Sequence, residues 1–529
     1  MSYKTCHDVK LESYQCGPAA WLLKHRKQKG LGCFYSTGFG KTLTSVSVSV
    51  SLFKANVITN IVGITPKSLV ENLKSGFKQC GGPDALRTLK ATRFVTYEKV
   101  QSDPSSAGHI SSSTLIILDE AHRLRESGTS TYKTIKDLCS RAGKVLILTA
   151  TPMVNSPGDA LSLLRLFAPD LELKTTTPAG FRSAVQHLVA FPDVDKSSEF
   201  PTLIKEVVWV TLDSNQASAI QAYDRKTSKV QSSAGKNSYL VKTRQLSLGI
   251  PPTPSSKLYA LAKTLDKYPG RALVFTEYLQ SGVDYITDFL RARLVGQKVE
   301  ALTGKTDANK RVELVNLFNT KRVDVLVMSS AGQEGLDFKE VRSIHHVNAD
   351  WNPADVDQKD GRGRRYRSHS NLPASERVVR SFQYISLPVN KSNKCDNQVG
   401  GECTEFHLYE VEQKKRREIG KYMAELINAS IPHLCDEPPQ VTKPVADKGN
   451  KRIPMCSAAL LPVGFSFDGF NGHRYQVVQT PRGKRWKHVG EHDDDISLSE
   501  VLKKVHRLPG RAVRFSDIPE EPRRRQRLG

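Results

Sequence analysis

Leu31-Gly32-Cys33-Phe34-Tyr35-Ser36-Thr37-Gly38-Phe39-Gly40-Lys41-Thr42 starts as a buried strand and ends in a glycine-containing loop closed by a lysine and a hydroxyl. Gly38 and Gly40 let the backbone curl around phosphate oxygens, because glycine reaches conformations other residues avoid. Lys41 offers a point charge to the β- and γ-phosphates of a nucleotide, and the Thr42 hydroxyl can ligate Mg²⁺. The motif is the short form T-G-x-G-K-T, since Tyr35 stands where the longer form has Gly. An ordinary loop is the alternative. A phosphate loop must run into a helix, whose first N–H groups are free to face anions. Yet Val46-Ser47-Val48-Ser49-Val50-Ser51 alternates with the period of a strand. The phosphate loop therefore predicts a helix over 41–53 against the local propensity.

Downstream, Thr114-Leu115-Ile116-Ile117-Leu118 ends in Asp119-Glu120-Ala121-His122. An acidic pair at the carboxyl end of a buried parallel strand sits where such sheets bind ligands. Asp119 would hold Mg²⁺ and Glu120 would orient and deprotonate an attacking water. The competing reading is an acidic helix start. Val145 to Leu148 is another strand, running into Thr149-Ala150-Thr151-Pro152. Thr149 and Thr151 could hydrogen-bond toward the 119–122 segment and couple hydrolysis to movement, though a lone T-A-T-P signals only a cap and turn. Far along the chain, Ser330-Ala331-Gly332-Gln333-Glu334-Gly335-Leu336-Asp337 reads as a loop near nucleotide or nucleic-acid backbone, with Gly335 and Asp337 as candidate ATP contacts. Gln358-x-x-Gly361-Arg362-x-x-Arg365 follows, with Arg362 and Arg365 on one helical face. Facing a γ-phosphate, such arginines are worth about 10³–10⁵ in rate. A basic helix binding backbone phosphates is the alternative, since Arg364 and Arg367 lie in the same cluster.

Short apolar runs alternate with helix-like segments at 31–35, 57–65, 93–97, 114–118 and 145–148, and again at 272–276, 323–328 and 344–347. That alternation predicts an α/β protein with two parallel-sheet lobes, 1–165 and 256–390. A polar, helical and flexible insert between the lobes fills 166–255, with a Ser/Lys-rich part at 228–238 expected to be mobile. A helical extension over 391–437 contains an amphipathic helix at 406–431, and a linker at 438–451 leads to a small basic module and tail ending at 529. Within that module, 474–478 and 484–489 flank Thr480-Pro481-Arg482-Gly483 as a hairpin. Its Arg and aromatic residues suit nucleic acid or a docking partner equally. Residues 491–495 cap a helix at 497–506 rather than hold a metal, and 523–527 form a basic tail.

Over 529 residues, 78 Lys+Arg against 54 Asp+Glu gives a formal net charge of +24. Such an excess favours a polyanionic partner. A membrane surface fits less well, because no basic amphipathic helix is present, and no signal peptide or spanning apolar run is seen. The nine cysteines are odd in number. Cys6, Cys16, Cys33, Cys80 and Cys139 read as free thiols in a reducing, intracellular compartment. Cys395, Cys403, Cys435 and Cys456 do not have the spacing of a zinc ribbon.

In this order the motifs resemble superfamily 2 DEAH-type helicases and translocases of the Swi/Snf-like branch. Tyr14-Gln15 with Trp21-Leu22 is similar to that branch's adenine-reading element, and Thr65-Pro66-Lys67-Ser68-Leu69, Thr96-Tyr97-Glu98, Leu148 to Asn155 and Asp350-Trp351-Asn352-Pro353 match it too. Arg365-Tyr366-Arg367-Ser368-His369-x-x-Leu372-Pro373 resembles the helicase-like ATPases of poxviruses and other large DNA viruses, among them an early-transcription-factor subunit and a nucleoside triphosphatase of transcript termination. The resemblance covers roughly 10–435. It implies two RecA-like lobes with ATP and Mg²⁺ between them and nucleic acid across both. Carried over by position, Gln15, Thr37, Gly38, Phe39, Gly40, Lys41 and Thr42 bind ATP. Thr42, Asp119 and Glu120 serve the metal, and Glu120, Arg362 and Arg365 are catalytic. His122, Thr149, Thr151 and Gln358 couple the lobes, and Lys67, Thr96, Thr303 and Ser330 contact nucleic acid. It also implies a DNA-dependent ATPase, partners such as RNA polymerase or other transcription proteins, and a host cytoplasmic or nuclear setting with packaging in the virion. Gly332-Gln333-Glu334-Gly335 departs from the pattern, with an acid where remodellers have Gly-Gly. An RNA helicase, and a non-catalytic DNA-binding transcription or packaging factor, are the alternatives.

Overall fold

The strand-forming runs rich in Val, Ile and Leu assemble into two all-parallel sheets in the computed structural model. It describes residues 6–173, 175–192, 200–227, 233–251, 253–329, 336–389, 395, 401–432, 466–468, 473–480 and 483–491. Lobe 1 holds β1 (Gly30–Phe34), β2 (Asn60–Thr65), β3 (Thr92–Thr96), β4 (Thr114–Asp119), β5 (Lys144–Thr149) and β6 (Val189–Ala190) in the order β3-β2-β4-β5-β1-β6. Lobe 2 holds β7 (Thr202–Thr211), β8 (Ala272–Thr276), β9 (Val299–Leu302), β10 (Val325–Ser329), β11 (Ser343–His346) and β12 (Val378–Leu387) in the order β7-β12-β11-β8-β10-β9. Helices cover both faces, so the central strands are buried along their length. All strands of a lobe point one way, which collects their carboxyl ends, and the loops carrying the motifs, at one edge.

The valine–serine repeat is a helix, Lys41–Lys54. Its pattern reconciles with a helix because opposite faces are both buried. Val48 and Leu52, four apart, pack with Leu31 and Leu146 of the sheet. Val46 and Val50, also four apart, pack on Phe77 and Ala85 of the outer helices. The serines return hydrogen bonds to the helix itself, Ser45 Oγ to the Thr42 carbonyl at 2.8 Å and Ser49 Oγ to Ser45 at 2.7 Å. This satisfies hydroxyls that burial would otherwise penalise.

The polar insert departs from the expected boundaries. It gives β6 to lobe 1 and β7 to lobe 2, and β7 pairs along its whole length with β12. Part of the stretch expected to be mobile is helix Ser233–Leu248; residues 228–232 lie outside the described residues. Lobe 2 holds that helix through buried Arg244, which donates to the Ala349 carbonyl at 2.6 Å and pairs with Glu277 at 2.9 Å. The insert, expected to be helical and flexible, is here a helix docked on lobe 2.

Helix Thr404–Asn428 joins the lobes. Near its start, Glu405 pairs with Lys257, both about 1 % exposed, and accepts from the Ser386 N–H of β12 at 2.9 Å. Near its end, Leu426 and Ala429 enter the lobe 1 core, and Ile431 N–H donates to Val189 at 2.8 Å. Midway, Lys415 Nζ donates to Asn155 of lobe 1 at 3.0 Å and to Asn352 of lobe 2 at 2.7 Å.

The cysteine expectation is corrected. Cys6 is bonded to Cys80, and Cys395 to Cys403. The N-terminal strap folds back so that His7 and Asp8 both donate to the Cys80 carbonyl, at 2.8 and 3.1 Å. Cys16 is bonded as well, and among the described residues Cys33 and Cys139 are free and buried. The cysteines thus no longer argue for a reducing compartment. Among the described residues no cluster could hold a structural metal, and no helix is long and apolar enough to cross a membrane. The C-terminal hairpin is present as β13 (Ser466–Asp468), β14 (His473–Thr480) and β15 (Gly483–Glu491), antiparallel, with Thr480 opposite Gly483. The linker, the helix at 497–506, the basic tail, Cys435 and Cys456 lie outside the described residues.

Candidate functional site

Gly40 caps helix Lys41–Lys54 at φ 75°, and Gly38 has φ 88°. Both values lie in the left-handed region that favours glycine. The loop therefore presents the helix N-terminus and its free N–H groups to one small space. Gln15 pins the loop from outside. Its Oε1 accepts from Glu12 N–H at 3.0 Å, and its Nε2 donates to the Phe39 carbonyl at 3.3 Å. Lys41 Nζ donates to the Tyr35 carbonyl at 3.1 Å. Burial draws its pKa down, while Glu120 and Asp119 oppose the shift.

Asp119 and Glu120 face Lys41 from the end of β4. Thr65 Oγ1 donates to Asp119 Oδ2 at 3.2 Å, and Tyr97 Oη to its carbonyl at 2.8 Å. Burial, and then the Glu120 charge, push the Asp119 carboxyl up to about 6 although Lys41 opposes. For Glu120, burial opposes ionisation, but Lys41, then His122 and Arg362, hold the carboxyl down at about 2. One carboxylate is thus kept charged while its neighbour resists charge, as expected for two acids sharing one space. Glu120 has φ 48° and ψ 47°, strained for a non-glycine residue, and its buried Oε2 lies beside the His122 ring. Backbone strain of this kind is typical of working sites. That oxygen, the acidic pair, the Thr42 hydroxyl and the anion-binding loop fit a nucleotide triphosphate with a divalent cation.

Lobe 2 closes the site. Gly361 of helix Pro353–Gly363 abuts Thr37, and a Cβ there would collide with Thr37 Oγ1. A Cβ on Gly38 would come 3.3 Å from the Arg365 Cα. Arg362 and Arg365 are near enough to lower the pKa of Lys41. Arg365 donates to the Leu336 carbonyl at 2.7 Å and pairs with Asp337, so the aspartate expected to touch ATP holds an arginine here. The coupling candidates form one relay. Glu120 lies 3.3 Å from His122 Nδ1, which meets Thr149 Oγ1 at 3.3 Å. Thr151 N–H donates to Thr149 Oγ1 at 3.1 Å, and Gln358 of lobe 2 reaches Thr151 Oγ1 at 3.4 Å.

The candidate nucleic-acid residues are spread out. Lys67 is exposed beyond β2. Thr96 caps helix Tyr97–Ser102 by accepting from Lys99 N–H at 3.2 Å, a local role its sequence position did not reveal. Thr303 closes a turn after β9. Ser330 and Gly335 lie outside the described residues. Thr65 and Tyr97 hold Asp119 and were overlooked as site residues, although both sit in the quoted motif segments. Lys415 gave no sequence signal.

Residues 8–154 match the family described as type III restriction enzyme, res subunit, and residues 256–367 match the helicase conserved C-terminal domain. A protein of Acanthamoeba polyphaga mimivirus carrying the name ATP-dependent RNA helicase L538 is 26 % identical over 458 residues, 80 % of this chain and 97 % of that protein. The termination factor NPH-I homolog of African swine fever virus is 20 % identical over 501 residues, covering 69 % of this chain and 70 % of that one. Among solved structures, the Sulfolobus solfataricus SWI2/SNF2 ATPase core in complex with dsDNA is 17 % identical, with a TM-score of 0.34, over 78 % of this chain and 97 % of that one.

Proposed function

We propose that this chain, a superfamily 2 helicase-type ATPase of the Swi/Snf-like kind related to those of large DNA viruses, is a motor that hydrolyses ATP with Mg²⁺ and translocates on DNA. The observation that carries the reading is the meeting of Arg365, from lobe 2, with the Gly38 loop of lobe 1. Hydrolysis that needs both lobes can drive their relative motion.

Lys41 and the N-terminus of its helix receive the phosphates. Thr42 and Asp119 serve the metal, which would supply charge neutralisation to the transferring phosphoryl group. Glu120 stays ionised beside Lys41 and takes the proton of the attacking water. Arg362 and Arg365 neutralise the charge that develops in the transition state. The relay from Glu120 through His122, Thr149 and Thr151 to Gln358 makes lobe position sensitive to the state of the nucleotide.

The net charge of +24 supports a polyanionic track, the resemblance to DNA-dependent ATPases favours DNA, and the termination-factor name of the swine fever virus relative favours RNA polymerase or other transcription proteins as partners. An intracellular setting goes with that reading. The helicase name of the mimivirus relative favours RNA as the second reading. Steady-state ATP hydrolysis with single-stranded DNA, duplex DNA, RNA or no polymer separates them. DNA stimulation is expected; stimulation by RNA alone would select the second reading.

A further inference from the structure

The helix that leads to the two arginines is held by charged groups that the catalytic roles leave unused. Two carboxylates of helix Pro353–Gly363, Asp357 and Asp360, are tied to other elements. Asp360 is buried. It accepts from Ser381 Oγ of β12 at 2.6 Å, lies 2.9 Å from His346 Nε2 of β11 and pairs with Lys205 of β7 at 3.0 Å. These partners all belong to lobe 2. Asp357 is shared between Lys205, at 2.8 Å, and Arg416 of helix Thr404–Asn428, whose Nη1 meets both carboxylate oxygens at 3.1 and 3.0 Å. Arg416 Nη2 pairs with buried Glu412 at 2.7 Å and donates to the Pro353 carbonyl at 3.4 Å. Its neighbour Lys415 holds Asn352, the residue that precedes the arginine-bearing helix. Burial opposes charge on Asp357, yet Lys205 and then Arg416 hold its carboxyl below the usual carboxylate range.

We propose that Arg416 is a positioning residue: it fixes the helix of Arg362 and Arg365 to the helix that joins the lobes, and so aims the arginines according to how the lobes are set. The proposal rests on the arginine reading and extends it to what places the arginines. The position of Arg416 along its helix carries the argument. Leu408 packs with Ala349 and Ile385 of lobe 2, whereas Ile419 packs in the lobe 1 core. The helix therefore passes from one lobe to the other between these residues, and Glu412, Lys415 and Arg416 occupy that interval. A rigid helix carries a displacement of lobe 1 to Arg416 rather than absorbing it. The planar guanidinium meets Asp357, Glu412 and a backbone carbonyl together, which fixes direction as well as distance. Asp357 lies about 7.5 Å before Arg362 along its own helix, at about 1.5 Å per residue, so a shift at Asp357 reaches Arg362 with little loss. A misplacement of about 1 Å at a catalytic group can cost about 10²-fold in rate. This route is separate from the relay through Gln358, which begins at Glu120 in the nucleotide site; the Arg416 route begins in the lobe 1 core at Ile419.

The test is equilibrium binding, by calorimetry on the full chain with Mg²⁺, of ADP and of ADP with aluminium fluoride, which stands in for the phosphoryl group in transfer. Arg416→Ala should leave ADP affinity unchanged and weaken the fluoride complex by about 10- to 100-fold. Arg365→Ala should weaken the fluoride complex too, and adding Arg416→Ala to it should cost much less than Arg416→Ala does alone, because the two losses share one route. Arg182→Ala is the structural comparison. It removes a 3.5 Å pair with Glu425 where the joining helix lies on lobe 1, and it should leave both ligands bound as before. Four results would overturn the proposal and leave Arg416 as helix packing: an intact fluoride complex in Arg416→Ala while Arg365→Ala loses it, equal losses for both ligands, full additivity in the double variant, or the same loss in Arg182→Ala. A fluoride complex that survives Arg365→Ala would instead refute the arginine reading beneath the proposal. Should Arg416→Ala not fold, Asp357→Asn removes the opposite charge of the pair and carries the same comparison.

Discussion

Arg365→Ala should lower turnover by about 10³–10⁵ at a much smaller cost in stability, and the structure says why the two separate. The side chain is 19 % exposed, and its ion-pair partner Asp337 is 69 % exposed. Removing the arginine therefore leaves a carboxylate that water already solvates, and a pair of this kind contributes about 0–1 kcal/mol. The lost hydrogen bond to the Leu336 carbonyl adds about 0.5–1.5 kcal/mol. The catalytic loss is on another scale. An arginine that meets transition-state charge is worth about 10³–10⁵ in rate, or ~4–7 kcal/mol of barrier. Arg365→Lys should recover little, because an ammonium lacks the planar fork. The assay is kcat at saturating ATP and polymer, beside ATP affinity and the melting curve. A fall in kcat below about tenfold, or one matched by lost affinity or a large melting shift, would refute the assignment.

Other outcomes follow from the same geometry. Lys257→Met leaves Glu405 charged and buried, which should cost about 3–5 kcal/mol; in Lys257→Met/Glu405→Leu much of that should return, and denaturant midpoints check it. Gln358→Ala removes the hydrogen bond that joins Thr151 of the relay to lobe 2; it should leave ATP affinity intact and lower polymer-stimulated turnover more than basal turnover, as paired rate measurements read out. Asp119, raised to about 6, binds its proton more tightly folded than unfolded. Its ionisation thus destabilises the nucleotide-free protein fully above pH 6, and that penalty fades as pH falls toward the unfolded carboxyl value. Asp119→Asn should raise the melting temperature at pH 8 and do so less at pH 5. Mg²⁺-dependent ATP binding by the unaltered chain should weaken as pH falls through about 6, because the metal-facing carboxylate is lost.

The strands that were legible in the sequence are the ones whose whole length is apolar, such as β4 and β5, because parallel strands are buried on both faces. β12 escaped notice because its run carries Arg380, Ser381 and Gln383; Arg380 meets Glu206 of β7 at 2.6 Å and Ser381 donates to Asp360 at 2.6 Å. β6 is two residues long and has no pattern to read. Helix Lys41–Lys54 was legible only through the chemistry ahead of it, since burial on two faces erased helical amphipathicity. The same division holds at the site. Residues within linear motifs, such as Lys41, Glu120 and Arg365, could be picked out one by one. Thr65 on Asp119, Phe200 on Phe39 and Lys415 between Asn155 and Asn352 are meetings of distant segments, and spacing carries no trace of them. Cys6 and Cys80 were misread for that reason.

Glu120→Gln tests the central claim most directly. Glutamine keeps the shape of the side chain and removes the charge that Lys41 holds in place. ATP binding and turnover should be measured on one preparation, with and without DNA. The account predicts that binding persists while DNA-stimulated turnover falls by about 10²–10⁴. Turnover that survives the substitution would contradict it, and Glu120 would not be the base of a DNA-driven ATPase.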